Sequence, residues 1–138
     1  RRVTFRCYAA DLKARAELGL ILLVENRRAE AEQHLRAAIQ VDPGFALAHY
    51  RLGLLLRLQQ RLAEARREFE TTLRLDPKDF KAHGNLGFIL LEQGDFNSAQ
   101  SHFESALRLN PDDALARDGL QDILKARGRT GNGSPPSP

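Results

Sequence analysis

Asp42-Pro43, Asp76-Pro77 and Asn110-Pro111 are three helix-ending dipeptides whose prolines stand 34 residues apart. A constant period in this range marks a stacked array, in which each unit hides its apolar face against the next. The beat is not confined to the prolines. Leu18-Gly19, Leu52-Gly53 and Leu86-Gly87 keep it, as do Ala31, Ala65 and Ala99. So do Leu35, Phe69 and Phe103, then Ile39, Leu73 and Leu107, and finally Val41, Leu75 and Leu109.

Each column has a physical use. Small residues in the Gly and Ala columns let two helix backbones approach closely, while the Leu and Phe columns fill the adjoining space at interior density. Each row therefore reads as a helical hairpin. Asn26-Arg27, Gln60-Arg61 and Gly94-Asp95 separate its two helices, where a chain often passes through a left-handed residue. Gly94 adopts that conformation freely, Asn26 tolerates it, and Gln60 is strained by it. The prolines end the second helix of each pair, because proline cannot continue the hydrogen-bond ladder.

These columns resemble the tetratricopeptide repeats, a family built from helix-turn-helix units of the same period. The match runs from about Leu12 to Asp113, with one more helix after it. The resemblance implies an all-α, right-handed superhelix (solenoid) of three hairpins, residues 12–45, 46–79 and 80–113, closed by a capping helix over 112–127. Two departures stand out. The family often has a bulky aromatic early in its first helix, where this chain has Arg15, His49 and His83, and Thr72 replaces the small residue found at Ala38 and Ala106.

A chain of 138 residues, 42% apolar and 28% charged, fits one modest soluble domain. Three repeats are near the lower limit for an array, so end caps matter. Asp112 to Arg127 provides one, with Leu115, Leu120, Ile123 and Leu124 on a single stripe. At the other end, residues 1–11 break the pattern and read as an irregular arm carrying Phe5 and Tyr8. There is no Met at all, which leaves room for a longer parent polypeptide. Residues 128–138 contain no large apolar side chain and read as a disordered, solvated tail, with Ser134-Pro135 and Ser137-Pro138 as minor phosphorylation candidates. The longest apolar run, Leu18 to Val24, is far short of the roughly 20 residues needed to span a bilayer. A lone Cys7 forms no internal disulfide, so the cytoplasm is the default compartment.

No catalytic constellation is legible. Cys7 has no His, Asp or Asn fixed beside it by any motif, and no phosphate-loop lysine follows Gly53, Gly84 or Gly87. His49 and His83 are repeat-equivalent, as are His34 and His102. Along the stack such residues lie roughly 8–10 Å or more apart, too far to share one zinc ion at about 2 Å from each ligand. No cofactor or metal is expected, and no enzyme. The net charge is only +3 and much of the arginine alternates with glutamate, as over residues 63–68, which argues against a phosphate-binding stripe for nucleic acid.

The informative surface is the free face of each first helix. Steps of three and four along it give Lys13, Ala16, Leu20 and Leu23, then Leu47, Tyr50, Leu54 and Arg57, then Lys81, Gly84, Phe88 and Leu91. In the resembled family this face lines a concave groove that takes partner peptides. The strip is apolar, and soluble monomers rarely leave such a strip bare. The expected function is a protein-binding scaffold or adaptor that accepts an apolar peptide or amphipathic helix. Two other readings stand beside it: a regulatory or substrate-positioning module of a larger enzyme, and a self-associating structural module. Some family members clamp the acidic C-terminal tail of a heat-shock chaperone between Lys, Asn and Arg side chains. Of those positions only Lys81 matches here; Asn85 stands for arginine, Arg51 for asparagine, and Ala16 and Leu20 for Lys and Asn.

Overall fold

The computed structural model describes residues 27–133, with side chains through Arg129, together with the helical residues Lys13 and Glu17. The arm over 1–11, Cys7, Leu20 and Leu23 lie outside the described residues. Over residues 27–133 six helices follow in order: α1 Arg28–Val41, α2 Ala46–Leu58, α3 Leu62–Leu75, α4 Phe80–Glu92, α5 Phe96–Leu109 and α6 Ala114–Gly133. No strand occurs among the described residues. The chain divides into two compact units, Arg1–Pro77 and Lys78–Pro138. The physical reason lies in the repeat, since each hairpin is held by local neighbours and not by a shared centre.

Both kinds of boundary follow from backbone chemistry. Asp42, Asp76 and Asn110 are extended, with φ of −134°, −137° and −141°, as expected for residues that precede proline. Their N–H groups still reach back to Ala38, Thr72 and Ala106, which satisfies one carbonyl at each helix end. Between hairpin partners, Gln60 (φ 61°) and Gly94 (φ 81°) take the left-handed conformation. Gln60 N donates to Arg57 O and Arg61 N to Leu56 O, and Gly94 and Asp95 repeat the pattern on Leu91 and Leu90. Both are the paired closing bonds of a Schellman end, so Gln60 is held there in spite of its Cβ.

Hairpin α2–α3 in the first unit and hairpin α4–α5 in the second bury the same columns. Ala65 and Phe69 on α3, and Ala99 and Phe103 on α5, have no exposure. The glycine column explains how close the helices come: a Cβ on Gly53 would lie 2.8 Å from the Phe69 ring, and one on Gly87 would lie 2.8 Å from Phe103. At Thr72 and His49 the departures from the repeat pattern are absorbed. Thr72 is fully buried and its hydroxyl donates to Glu68 O at 2.8 Å. His49 fills an aromatic's position with both ring nitrogens near acceptors, Glu68 Oε2 at 2.7 Å and Pro43 O at 2.8 Å.

Three expectations are corrected, two of them by the last helix. It continues to Gly133, so residues 128–133 are helical and not an irregular tail. Gly128 has nothing within 4 Å of where a Cβ would sit, so the extension rests on its own backbone ladder and not on packing there. Ile123 is buried, but Leu124 is 67% exposed and does not join the buried stripe. Leu124 occupies the register of Leu90, which is buried; α6 has no second helix of its own among the described residues. The third correction concerns Val41, Leu75 and Leu109, which were read as a packing column. They are 39%, 43% and 42% exposed, because each is the last helical residue before the chain turns away.

In the first unit an ion network ties α1 to α3. Arg61 donates to Glu64 at 2.7 Å and to Glu32 at 3.0 Å, while Arg36 donates to Glu32 at 2.8 Å. Hydrogen bonding from Arg61 holds the Glu64 carboxyl below its ordinary value. Burial pushes Glu32 up, but hydrogen bonds from Arg36 and Arg61 outweigh it and leave that carboxyl low as well. The folded state therefore binds fewer protons than the unfolded chain near the ordinary glutamate value of about 4.3. The network's contribution is present above that pH and lost as pH falls through the lowered folded values. In denaturant titrations from neutral to acid pH, Arg61→Gln should be less stable at neutral pH, with the gap closing in acid. A gap that stays constant with pH would show that the network carries no linked protons.

Candidate functional site

The first-helix face is built by helix spacing alone. On α2, Leu47, Tyr50, Leu54 and Arg57 succeed one another at steps of three, four and three, and all four are half-buried. Tyr50 leans towards the second helix of its hairpin, with its ring centroid 5.9 Å from that of Phe69 at a tilt of 57°. On α4, Phe88 and Leu91 are half-buried and Lys81 is exposed, its Nζ 5.9 Å from the centre of the Phe80 ring. Lys13 is exposed and helical.

These placements revise the expectation of a bare apolar strip. None of Leu47, Tyr50, Leu54, Phe88 or Leu91 is among the most exposed large apolar side chains, and none is sealed in the core. All five are half-buried, so part of each side chain stays accessible.

Polar atoms beside these residues were missed at the level of sequence. Glu17, Arg51 and Asn85 form another column of the period. Arg51 Nη2 donates to Glu17 Oε1 at 3.2 Å, while Arg51 Nη1 is buried without a partner among the described residues. Asn85 is 5% exposed; its Nδ2 donates to Lys81 O at 2.8 Å, and its Oδ1 has no such partner. The signal was a period-keeping polar residue in a face otherwise apolar.

A second missed feature runs across a hairpin and not along the array. His83 on α4 and His102 on α5 face each other, with Nδ1 to Nδ1 at 3.1 Å and ring centroids 5.3 Å apart. The sequence comparison paired histidines a whole repeat apart and so overlooked a separation of 19 residues. Among the described residues, no group of three or more His, Cys, Asp or Glu side chains is placed to hold a metal ion. Nor is any helix there long and apolar enough to cross a membrane.

Comparison with known proteins fits this architecture. One sequence profile of the tetratricopeptide repeat matches residues 16–80 and 59–96, and another matches 80–113. No curated protein sequence matches the chain. Among solved structures, it is similar to the first such domain of Spaghetti (RPAP3) bound to the HSP90 peptide SRMEEVD. There the TM-score is 0.82 at 18% identity, over 86% of this chain and 94% of that one. It is also similar to the second such domain of human RPAP3 in complex with the HSP70 peptide SGPTIEEVD. The TM-score is 0.76 at 24% identity, over 86% of this chain and 97% of the other. A Thermobaculum terrenum O-GlcNAc transferase mutant shares 26% identity over 85% of this chain at a TM-score of 0.79, and the match spans 22% of that longer polypeptide. Between them the repeat profiles span residues 16–113, and the Ala, Phe and Gly columns are buried as a helical-hairpin repeat requires. The chain belongs to the tetratricopeptide repeat family.

Proposed function

We propose that this chain is a protein-binding module that takes an apolar peptide or amphipathic helix against the first-helix faces of its repeats. The observation that carries this reading is the half-buried series Leu47, Tyr50 and Leu54 on α2, repeated by Phe88 and Leu91 on α4. A ligand side chain seated there completes a burial that the hairpin leaves unfinished, worth roughly 1.5–3 kcal/mol for each large apolar group. Within its own unit, Arg51 Nη1 on α2 offers a buried donor, and Asn85 Oδ1 on α4 a buried acceptor, to the main chain of a ligand on that helix face. Lys13, Arg57 and Lys81 give such a ligand a direction through their charge. Rigid helices carry all of these groups, so little ordering opposes binding.

The similar RPAP3 domains are bound to acidic peptides that end in Glu-Val-Asp. This chain keeps only Lys81 of the clamp that the family uses for such tails, so an apolar ligand is favoured over an acidic one. Peptides selected by display against the full chain should be rich in Leu, Ile, Phe and Val. Leu54→Glu should lower their affinity about ten- to a hundredfold, the loss of one buried apolar contact, while the thermal melt stays near that of the unaltered chain. An unfolded Leu54→Glu protein would instead place Leu54 in the core. Selection of acidic tails, with binding unaffected by Leu54→Glu, would contradict the reading.

A second reading draws on the O-GlcNAc transferase, of which this chain covers 22%. These repeats would then position substrates for a catalytic region elsewhere in a longer polypeptide. Finding that parent polypeptide with a catalytic domain would favour it.

A further inference from the structure

The geometry points to a transition-metal site at the His83–His102 pair, which we propose binds one divalent ion of the Cu2+ or Ni2+ type and clasps α4 to α5. Two imidazoles from different helices present Nδ1 atoms 3.1 Å apart. With metal–nitrogen bonds of about 2.0–2.1 Å, that separation sets an N–metal–N angle of roughly 100°, close to the angle between adjacent ligands in tetragonal or octahedral coordination. The ion takes the place of the hydrogen that the two nitrogens now share. Imidazole χ2 is a broad, soft torsion, so both lone pairs can turn onto one centre. Both rings are half-buried, which fixes their position while leaving room for water to complete the shell.

The donor set narrows the class of ion. Imidazole nitrogen suits Cu, Ni, Zn and Fe, and not the hard cations Mg2+ and Ca2+. A structural zinc site asks for four protein ligands, and no third His, Cys, Asp or Glu joins this pair among the described residues. Two imidazoles with waters fit the tetragonal preference of Cu2+ and Ni2+, and Cu2+ binds tightest in the divalent series. The hairpin of the first unit gives a contrast at equivalent positions. There His49 meets the Glu68 carboxylate at 2.7 Å, and its other nitrogen meets Pro43 O at 2.8 Å. That arrangement is a hydrogen-bonded clasp between a ring and two oxygens. Histidine at position 102, where the equivalent residue is Glu68, turns the clasp into a pair of nitrogen donors.

Calorimetric titration of the full chain with CuCl2, and separately with NiCl2, tests the site. The unaltered chain should take up one equivalent, and His83→Gln and His102→Gln should each weaken binding at least tenfold, while His49→Gln leaves it unchanged. Far-UV circular dichroism checks that the variants fold. If either fails to fold, electron paramagnetic resonance of the copper-loaded unaltered chain decides. Hyperfine structure from two equivalent imidazole nitrogens supports the site; one nitrogen or none overturns it. Uptake that survives both His variants, or the absence of uptake by the unaltered chain, also overturns it.

Discussion

Phe103→Ala should lower the unfolding free energy of the C-terminal unit by about 3–5 kcal/mol, the usual cost of deleting a buried aromatic ring. Phe103 has no exposure and is gripped from two sides. A Cβ on Gly87 would lie 2.8 Å from its ring, and one on Gly119 would lie 2.3 Å from it, so the ring sits tight against both α4 and α6. No side chain lies ready to fill the space at those contacts, because the ring meets glycine on both sides. Chemical denaturation followed by circular dichroism measures the loss. A cost under about 1 kcal/mol would mean that the site collapses freely, and the close fit between ring and glycines would be wrong.

Gly119→Val probes the same contact from the opposite direction. Its Cβ must enter space already held by the Phe103 ring, and overpacking of this kind costs about 1–3 kcal/mol, occasionally more. Helix propensity works the other way, since glycine is roughly 1 kcal/mol worse than the best helix formers. A fall in stability therefore means that the steric term has won. The two substitutions act on one contact and should not add: with the ring removed, valine at 119 has room. In the double variant, the added cost of Gly119→Val should shrink or change sign. Strict additivity would show that Gly119 and Phe103 do not share the space assigned to them.

Most of the fold was legible because the repeat displays each constraint three times. Pro43, Pro77 and Pro111 mark the helix ends, and Gln60-Arg61 and Gly94-Asp95 mark the inner turns, as the structure shows. The Gly53–Phe69 and Gly87–Phe103 contacts were implicit in columns that place a small residue opposite a large one. The errors fall where column logic ends. Leu124 keeps the period but lacks the covering helix, so its register says nothing of its burial. Val41, Leu75 and Leu109 keep it too, yet a column records equivalence and not depth. The extension of α6 to Gly133 runs against composition altogether, through Gly128, Gly131 and Gly133.

The candidate site was legible in position but not in exposure. Helix spacing places Leu47, Tyr50 and Leu54 on one face of α2 and Phe88 and Leu91 on one face of α4, and all five are half-buried. It could not say how far each leans onto its hairpin partner, because that depends on the distance between helices. Arg51 and Asn85 escaped for a related reason: an unsatisfied buried atom is defined by its surroundings, which no spacing rule supplies. The His83–His102 contact was overlooked because the period was followed along the array, whereas hairpin partners meet across it.

The account rests on the apolar face of α2 and that of α4 each being a surface that takes a ligand. Nuclear magnetic resonance shift mapping with a display-selected apolar peptide tests this most directly. The account predicts that perturbed signals gather at Leu47, Tyr50, Leu54 and Arg57 and at Phe88 and Leu91. Perturbations gathered instead at Arg67, Arg74, Ser101 and Glu104, on the exposed sides of α3 and α5, would contradict it.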